Sequence, residues 1–252
     1  MVEIIMKHFL EVTVPDDKDL YIVGDLHGNG KLWDATKKEF GITNEDYVFS
    51  VGDVIDRGDQ NSKLLFEFLF GENRFMITGN HEMMCVDSET HRDWYHCWVQ
   101  NGGDKFIDEV GVTGIQFFRQ YLNDLPMIIQ INHRGLKIGL VHAGVPLEYT
   151  KWERFVNGTK SLSADIIEKC LWDRDTFDYC KKNNTYYAPR LDGIHCVFSG
   201  HTAVSDPLIY GNRIWIDSQF LTGDLTLATP QSGGMRYLRK EKDEYSFNRF
   251  KR

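Results

Sequence analysis

The chain has 252 residues, 42% of them hydrophobic, and a formal net charge of −8 at pH 7, which reads as a globular protein with a substantial core, one domain over residues 1–252. The acidic balance argues against nucleic acid, whose phosphates are met by basic surface, and no apolar run approaches the roughly 18 residues that span a bilayer, so neither nucleic acid nor membrane is expected as a partner. Five scattered cysteines, odd in number and never spaced as CxxC, argue against a disulfide framework; with no signal-peptide pattern at the start, they make the cytoplasm the expected compartment.

Short β-type runs alternate with helix-like stretches, which predicts a layered α/β fold. The first run, Leu20–Val23, stops at Gly24-Asp25-Leu26-His27-Gly28. Residues 31–40 read as a helix packed through Leu32, Trp33, Ala35 and Phe40. It begins just after Gly28-Asn29-Gly30, so its positive end faces that turn. The second run, 47–51, stops at Gly52-Asp53-Val54-Ile55-Asp56-Arg57-Gly58. Asn61 or Ser62 is placed to cap the next helix, whose Leu64, Leu65, Phe66, Phe68 and Leu69 predict deep burial. A third run, 75–78, stops at Gly79-Asn80-His81-Glu82. Residues 86–121 are helical in character, with breaks at Asn101-Gly102-Gly103 and again between Gly111 and Gly114. Trp94, Tyr95 and Trp98 lie within about one turn of that stretch and read as packing rather than as a binding platform.

The fourth run, 138–141, stops at His142-Ala143-Gly144. Residues 145–191 are less regular, with one helix over 163–172 and a turn at Asn183-Asn184. The fifth run, Cys196–Ser199, stops at Gly200-His201-Thr202. Residues 214–216 and 225–227 read as strands of a second sheet, and Tyr237 opens a further strand. The tail 236–252 carries seven basic and three acidic side chains and reads as a solvated terminal strand.

Ligands gather beyond the carboxyl ends of strands in α/β sheets, so five strand ends carrying Asp, Asn or His predict one site. Asp25 and His27, two residues apart, share a face. Asp53 adds a carboxylate able to bridge two cations, and Asn80, His142 and His201 add one carbonyl oxygen and two imidazoles. A mixed O/N set without thiolate suits Mn²⁺, Fe or Zn²⁺. Two such ions can polarise a phosphoryl group and lower the pKa of a bound water from about 15.7 to around 7. Arg57 is placed to hold phosphate oxygens with paired hydrogen bonds. His81 is placed to protonate the leaving group, with Asp56 orienting its imidazole. Taken singly, each fragment has a blander explanation in a satisfied core histidine or a turn with a surface ion pair. Recurrence at five strand ends favours the shared site.

GDLHG at 24–28, GDVIDRG at 52–58 and GNHE at 79–82, extended by VHAG at 141–144 and GHT at 200–202, resemble the motifs of the metallophosphoesterase superfamily in its serine/threonine protein phosphatase form. The segments at 98–103 and 171–174 resemble the compact phage and bacterial branch, typified by the phage lambda protein phosphatase. The resemblance covers residues 20–229. It implies an α/β (α+β) fold, a four-layer αββα β-sandwich flanked by helices. It also implies two divalent metal ions, Mn²⁺ foremost, and direct attack of metal-bound hydroxide on phosphorylated protein or peptide substrates, with phosphotyrosine as a possible second class. Carried over by position, Asp25, His27 and Asp53 match ligands of one metal, and Asp53, Asn80, His142 and His201 those of the other. His81 matches the catalytic acid, Asp56 its partner, and Arg57 and Arg174 the phosphate-binding arginines, with Asn80 beside the phosphate. A monomer in the cytoplasm, of the host if the gene is phage-borne, completes the expectation. Residues 216–220 depart from the Asp-Thr-Gly pattern common at that point of the family. The alternatives are a symmetric dinucleoside tetraphosphate hydrolase, in which the Asp of DRG is commonly missing and the third motif ends in Asp, and a phosphopeptide-binding pseudophosphatase, which should lack a ligand or the acid.

Overall fold

The computed structural model describes residues 8–160, 163–183, 188–231, 234–240 and 247–248. Its strands are β1 (Phe9–Thr13), β2 (Leu20–Val23), β3 (Tyr47–Ser50), β4 (Arg74–Met76), β5 (Ile128–His133), β6 (Leu136–Val141), β7 (Cys196–Ser199), β8 (Leu208–Tyr210), β9 (Arg213–Trp215), β10 (Leu225–Gln231), β11 (Gly234–Lys240) and β12 (Phe247–Asn248). The helices are α1 (Gly30–Phe40), α2 (Asn61–Phe70), α3 (Asn80–Asp87), α4 (Arg92–Trp98), α5 (Asp104–Leu122), α6 (Trp152–Thr159), α7 (Ala164–Trp172), α8 (Asp175–Lys182) and α9 (Gln219–Thr222).

Two six-stranded sheets form, in the orders β1-β5-β6-β7-β9-β8 and β12-β11-β10-β2-β3-β4. Strict alternation along the strands puts one apolar set between the sheets. Leu20, Ile22, Phe49, Val51 and Ile77 meet Ile129, Ile131, Ile138, Leu140, Phe198 and Ile214 there. The opposite face of β2, β3 and β10, through Val23, Val48, Leu225 and Leu227, packs under α1 to α5 with Trp33, Leu64, Leu65, Trp98, Phe106 and Phe118. Ile128, Val141 and Val197 on the other outer face are covered by Trp152, Phe155, Ile166 and Leu171 of α6 and α7. The result is helix, sheet, sheet, helix, the four-layer arrangement the family resemblance implied.

Two details differ from the sequence reading. The five site-bearing strands do not share a sheet: β2, β3 and β4 are parallel neighbours in one, while β6 and β7 are parallel neighbours in the other. Their carboxyl ends meet at one end of the sandwich. Nor do 214–216 and 225–227 form a sheet of their own: β9 joins β7, and β10 joins β2. Strand pairing is non-local, and an apolar run does not encode its neighbour.

The region 145–191 is more regular than expected, because α6 and α8 flank the predicted α7. The breaks at the glycines are real, with φ of 103° at Gly102 and 66° at Gly111. The tail is not wholly solvated: Tyr237 and Leu238 of β11 are buried, and apart from β12 the residues after 240 lie outside the described part. The cap of α2 also differs. Asn61 is its first residue, and the helix's free N–H groups go to Glu109 of α5, which accepts from Asn61 N at 2.7 Å and Ser62 N at 2.9 Å. A carboxylate at a helix N-terminus is favourable wherever it comes from.

Candidate active site

Each strand leaves its sheet through a sharp turn, and backbone strain concentrates in these turns. Seven non-glycine residues have positive φ among the described residues, and five of them are His27, Asp53, Asp56, Arg57 and His201. Such backbone costs on the order of 1–3 kcal/mol per residue and persists where surrounding contacts over-determine it. Those contacts are visible. Leu26 N and His27 N both donate to Asp53 O, at 3.0 and 2.9 Å, and Gly28 N donates to Val54 O at 2.8 Å. The Glu82 carboxylate accepts from Gly79 N and Asp53 N at 2.9 Å and from Val54 N at 2.8 Å. Two glycines make room for the acids. A Cβ on Gly79 would lie 2.2 Å from Asp53 Oδ1, and one on Gly200 would lie 1.9 Å from Asp25 Oδ1.

Two groups of ligand-type side chains result, His27–Asp53–His81 and Asp53–His142–His201, each with its donor atoms within 4.8 Å of one another. Asp53 belongs to both, as expected of a bridging carboxylate. Asn80 joins the second group: its Oδ1 lies 2.9 Å from His142 Nε2 and 2.9 Å from His201 Nδ1. Asp25 lies outside both groups. Its Oδ2 accepts from His201 N at 3.0 Å, while its buried Oδ1 has no hydrogen-bond partner.

The partners of the imidazoles define which nitrogen faces the site. His27 Nδ1 lies 3.2 Å from Ile55 O and His142 Nδ1 lies 2.7 Å from Val51 O. Donation to these carbonyls turns each Nε2 inward. His201 Nδ1 faces Asn80 Oδ1, while its Nε2 lies at the outer side, 3.3 Å from both Trp172 O and Arg174 Nε. Ring nitrogens of His142 and His201 therefore converge on Asn80 Oδ1, positions that a shared cation takes once their protons are displaced. Burial, then the positive neighbours, hold His27 and His201 down to about 3, so both are neutral and available as ligands. Burial also opposes charge on His142, but the Asp53 carboxylate at 3.3 Å outweighs it and lifts the imidazole to about 10. Asp53 itself is held well below the usual carboxylate range: burial works against its charge, and His142 and His81 prevail. The donor set fits divalent cations, with a bridging carboxylate, three inward imidazole nitrogens, an amide oxygen and an orphaned buried carboxylate oxygen.

His81 has a different partner. Its Nδ1 lies 2.6 Å from Asp56 Oδ2, and both residues are buried. Burial opposes charge on His81, but Asp53 and Asp56 together raise its pKa. Arg57 spans two imidazoles, with Nη1 2.9 Å from His27 Nε2 and Nη2 3.1 Å from His81 Nε2, and its guanidinium lies 5.5 Å from the ring of Phe220. Arg174, exposed ahead of α8, donates from Nε to His201 Nε2 at 3.3 Å. The structure thus brings every expected residue to one end of the sandwich.

Sequence reasoning missed three contributors. Trp98, expected only to pack, donates Nε1–H to both oxygens of Asp56, at 3.1 and 2.9 Å. Asn61, expected to cap a helix, instead accepts Asp56 N on its Oδ1 at 2.7 Å. Glu82, noted only as a family discriminator, supports the Asp53 turn. No local signal marks Trp98, because 42 residues separate it from Asp56.

Residues 19–205 match the calcineurin-like phosphoesterases, and the chain belongs to that family, whose members use a dinuclear divalent metal site. It is a hydrolase of the phosphoesterase class. Serine/threonine-protein phosphatase 2 of Salmonella typhimurium (strain LT2) is 27% identical over 214 residues, 83% of this chain and 91% of that protein. The symmetrical bis(5'-nucleosyl)-tetraphosphatase of Hamiltonella defensa is 26% identical over 184 residues, 69% of this chain and 60% of that protein. Among solved structures, a protein serine/threonine phosphatase from Saccharomyces cerevisiae shares the fold, with a TM-score of 0.62 at 17% identity, covering 95% of this chain and 84% of that chain.

Proposed function

We propose that the chain is a metal-dependent protein serine/threonine phosphatase whose substrates are phosphorylated proteins or peptides and whose preferred metal is Mn²⁺. The observation that carries this reading is the buried Asp56–His81 contact at 2.6 Å. A phosphoserine or phosphothreonine ester expels an alkoxide, a poor leaving group that needs a proton in the transition state. A dinucleoside tetraphosphate expels a phosphate chain, which needs far less help. An acid with its own buried orienter suits the first substrate better.

Asp25, His27, Asp53, Asn80, His142 and His201 would hold the metals, with Asp53 shared. When bound, a pair of divalent cations supplies Lewis acidity toward phosphoryl oxygens and activates the attacking water. The remaining work falls to side chains. Arg57 grips two phosphate oxygens with its planar fork, and Arg174 approaches from the α8 side. Arg57 has only donors, so its contacts with His27 and His81 occupy the lone pairs of both Nε2 atoms. Moving the guanidinium onto phosphate frees His27 Nε2 for a metal and His81 Nε2 for a proton. As water adds to phosphorus and the bond to the leaving oxygen breaks, His81 Nε2–H passes its proton to that oxygen. Asp56 holds the imidazole and balances its charge. Phosphotyrosine, whose phenolate leaves more easily, is a second substrate on this reasoning.

The symmetrical tetraphosphatase reading is favoured by the relatives of that name, at 26% identity for the one from Hamiltonella defensa. The acid pair argues for the monoester. The test strips the protein with chelator, restores Mn²⁺, Mg²⁺, Zn²⁺ or Ni²⁺, and follows phosphate release from phosphoserine, phosphothreonine and phosphotyrosine peptides. Expected is metal-dependent turnover, highest with Mn²⁺. Full activity of the stripped protein, or no turnover with any metal, would overturn the proposal.

A further inference from the structure

We infer that Trp98 is a positioning residue for proton transfer, setting the orientation of the Asp56–His81 pair through its indole N–H, and that the segment from Trp98 to Gly103 serves the site as a clamp. The inference deepens the proposed phosphatase reading and rests on it for the role of His81.

Trp98 is fully buried, and its single donor goes to both carboxylate oxygens of Asp56. An indole N–H can donate and never accept, so it stabilises Asp56 as an anion in one orientation. Asp56 needs that restraint. Its backbone is in the left-handed region at φ 75°, and Asn61 Oδ1 holds its amide. That leaves the carboxylate plane to be set by His81 Nδ1 on one oxygen and by the indole across both. A ring packed for its apolar area alone could point Nε1 at any acceptor. This one spans 42 residues to reach the orienter of the acid.

The ring is itself held. A Cβ on Gly103 would lie 2.5 Å from Trp98 Nε1 and Cε2, so the backbone of that glycine lies against the donor edge of the indole. The Arg119 guanidinium lies 6.0 Å from the ring centre and is tied to Cys85 O at 2.8 Å and Ser88 Oγ at 2.7 Å. The same segment holds the neighbouring phosphate-binding residue. Gly102 O accepts from Arg57 N at 3.0 Å, and Asn101 O lies 3.5 Å from Arg57 Nε. The reversal at Gly102, φ 103°, lets one short stretch reach both Asp56 and Arg57.

The test is W98F, which removes the donor and keeps most of the ring. Its matched control is W33F, which removes another indole donor to a carboxylate, Trp33 Nε1 to Glu67 Oε1 at 2.9 Å, on the α1–α2 side of the fold. Turnover is measured on a phosphoserine peptide and on p-nitrophenyl phosphate, whose leaving group needs little protonation, with metal content checked in each variant. W98F should lower kcat on the phosphoserine peptide about tenfold or more, within the range general acids contribute, and change kcat on the aryl ester less than threefold, with metal retained. W33F should show no such leaving-group dependence. Equal losses on both esters, or none on either, would overturn the role. A second measurement needs no turnover: the indole ¹H–¹⁵N resonance of Trp98, assigned by its loss in W98F, should move upfield in D56N while the other indoles stay in place. An unmoved resonance would overturn the contact. Wild-type protein that hydrolysed neither ester would sink the phosphatase reading, and the resonance would still judge the contact between Trp98 and Asp56.

Discussion

His81 Nδ1 and Asp56 Oδ2 lie 2.6 Å apart in a buried pocket, on the opposite side of the imidazole from the nitrogen that faces Asp53 and Arg57. A carboxylate on one ring nitrogen raises the basicity of the other and fixes where it points. That relationship separates His81 from His27 and His142, whose outer nitrogens meet only backbone carbonyls. H81N should therefore cut turnover on phosphoserine peptides by about 10²–10⁴ while metal content stays at the wild-type level. Loss of a metal from the variant would make His81 a ligand and the acid assignment wrong.

Asp53 belongs to both ligand groups, and its Oδ1 also accepts from His81 N at 3.0 Å. D53N should abolish binding of at least one metal and almost all activity, read by elemental analysis after gel filtration. A variant that kept two ions per chain would contradict the bridging role.

Glu82 receives four backbone N–H groups from the turns that carry Asp53 and Asn80. An amide at this position must set its NH₂ against one of these donors. E82Q should destabilise the metal-free protein by roughly 2 kcal/mol, a melting shift on the order of 4–8 °C for a chain of this size. An unchanged melting temperature in calorimetry would show that the turns hold without the carboxylate.

Arg57 should be needed in both ground and transition states, since it meets the phosphate on binding and through transfer. R57A is expected to raise KM and lower kcat together, measured on phosphoserine peptide, because part of the lost binding is common to both states. A change confined to kcat would place Arg57 on the transition state alone.

In the metal-free protein Asp53 lifts His142 to about 10, so the imidazole carries a proton at neutral pH that a metal must displace. The direction follows: with the group protonated below about 10, metal affinity rises with pH and falls about tenfold per unit of acidification for each proton displaced. Calorimetric titration with Mn²⁺ in buffers of different ionisation enthalpy should report net proton release on loading. No release would mean that His142 is neutral before the metal arrives.

Much of this site is legible in the sequence because its chemistry is contiguous. Asp25 and His27, or Asp56 and Arg57, share a turn, and the short apolar runs Leu20–Val23 and Cys196–Ser199 lead straight into the turns that carry Asp25 and His201. What escapes is whatever depends on partners distant in sequence. Periodicity does not say that β9 pairs with β7 and β10 with β2. Asn61 looks like a local helix cap until Glu109 arrives from α5 to take that role, which leaves its Oδ1 to accept Asp56 N. Trp98 looks like core because it is core; only the direction of one N–H bond gives it a second role.

The central claim is tested most directly by kcat/KM of the Mn²⁺-loaded protein on a phosphoserine peptide and on diadenosine tetraphosphate under the same conditions. The acid pair predicts preference for the peptide, with inorganic phosphate as product. A large preference for the dinucleotide, with nucleoside diphosphate as product, would contradict the account.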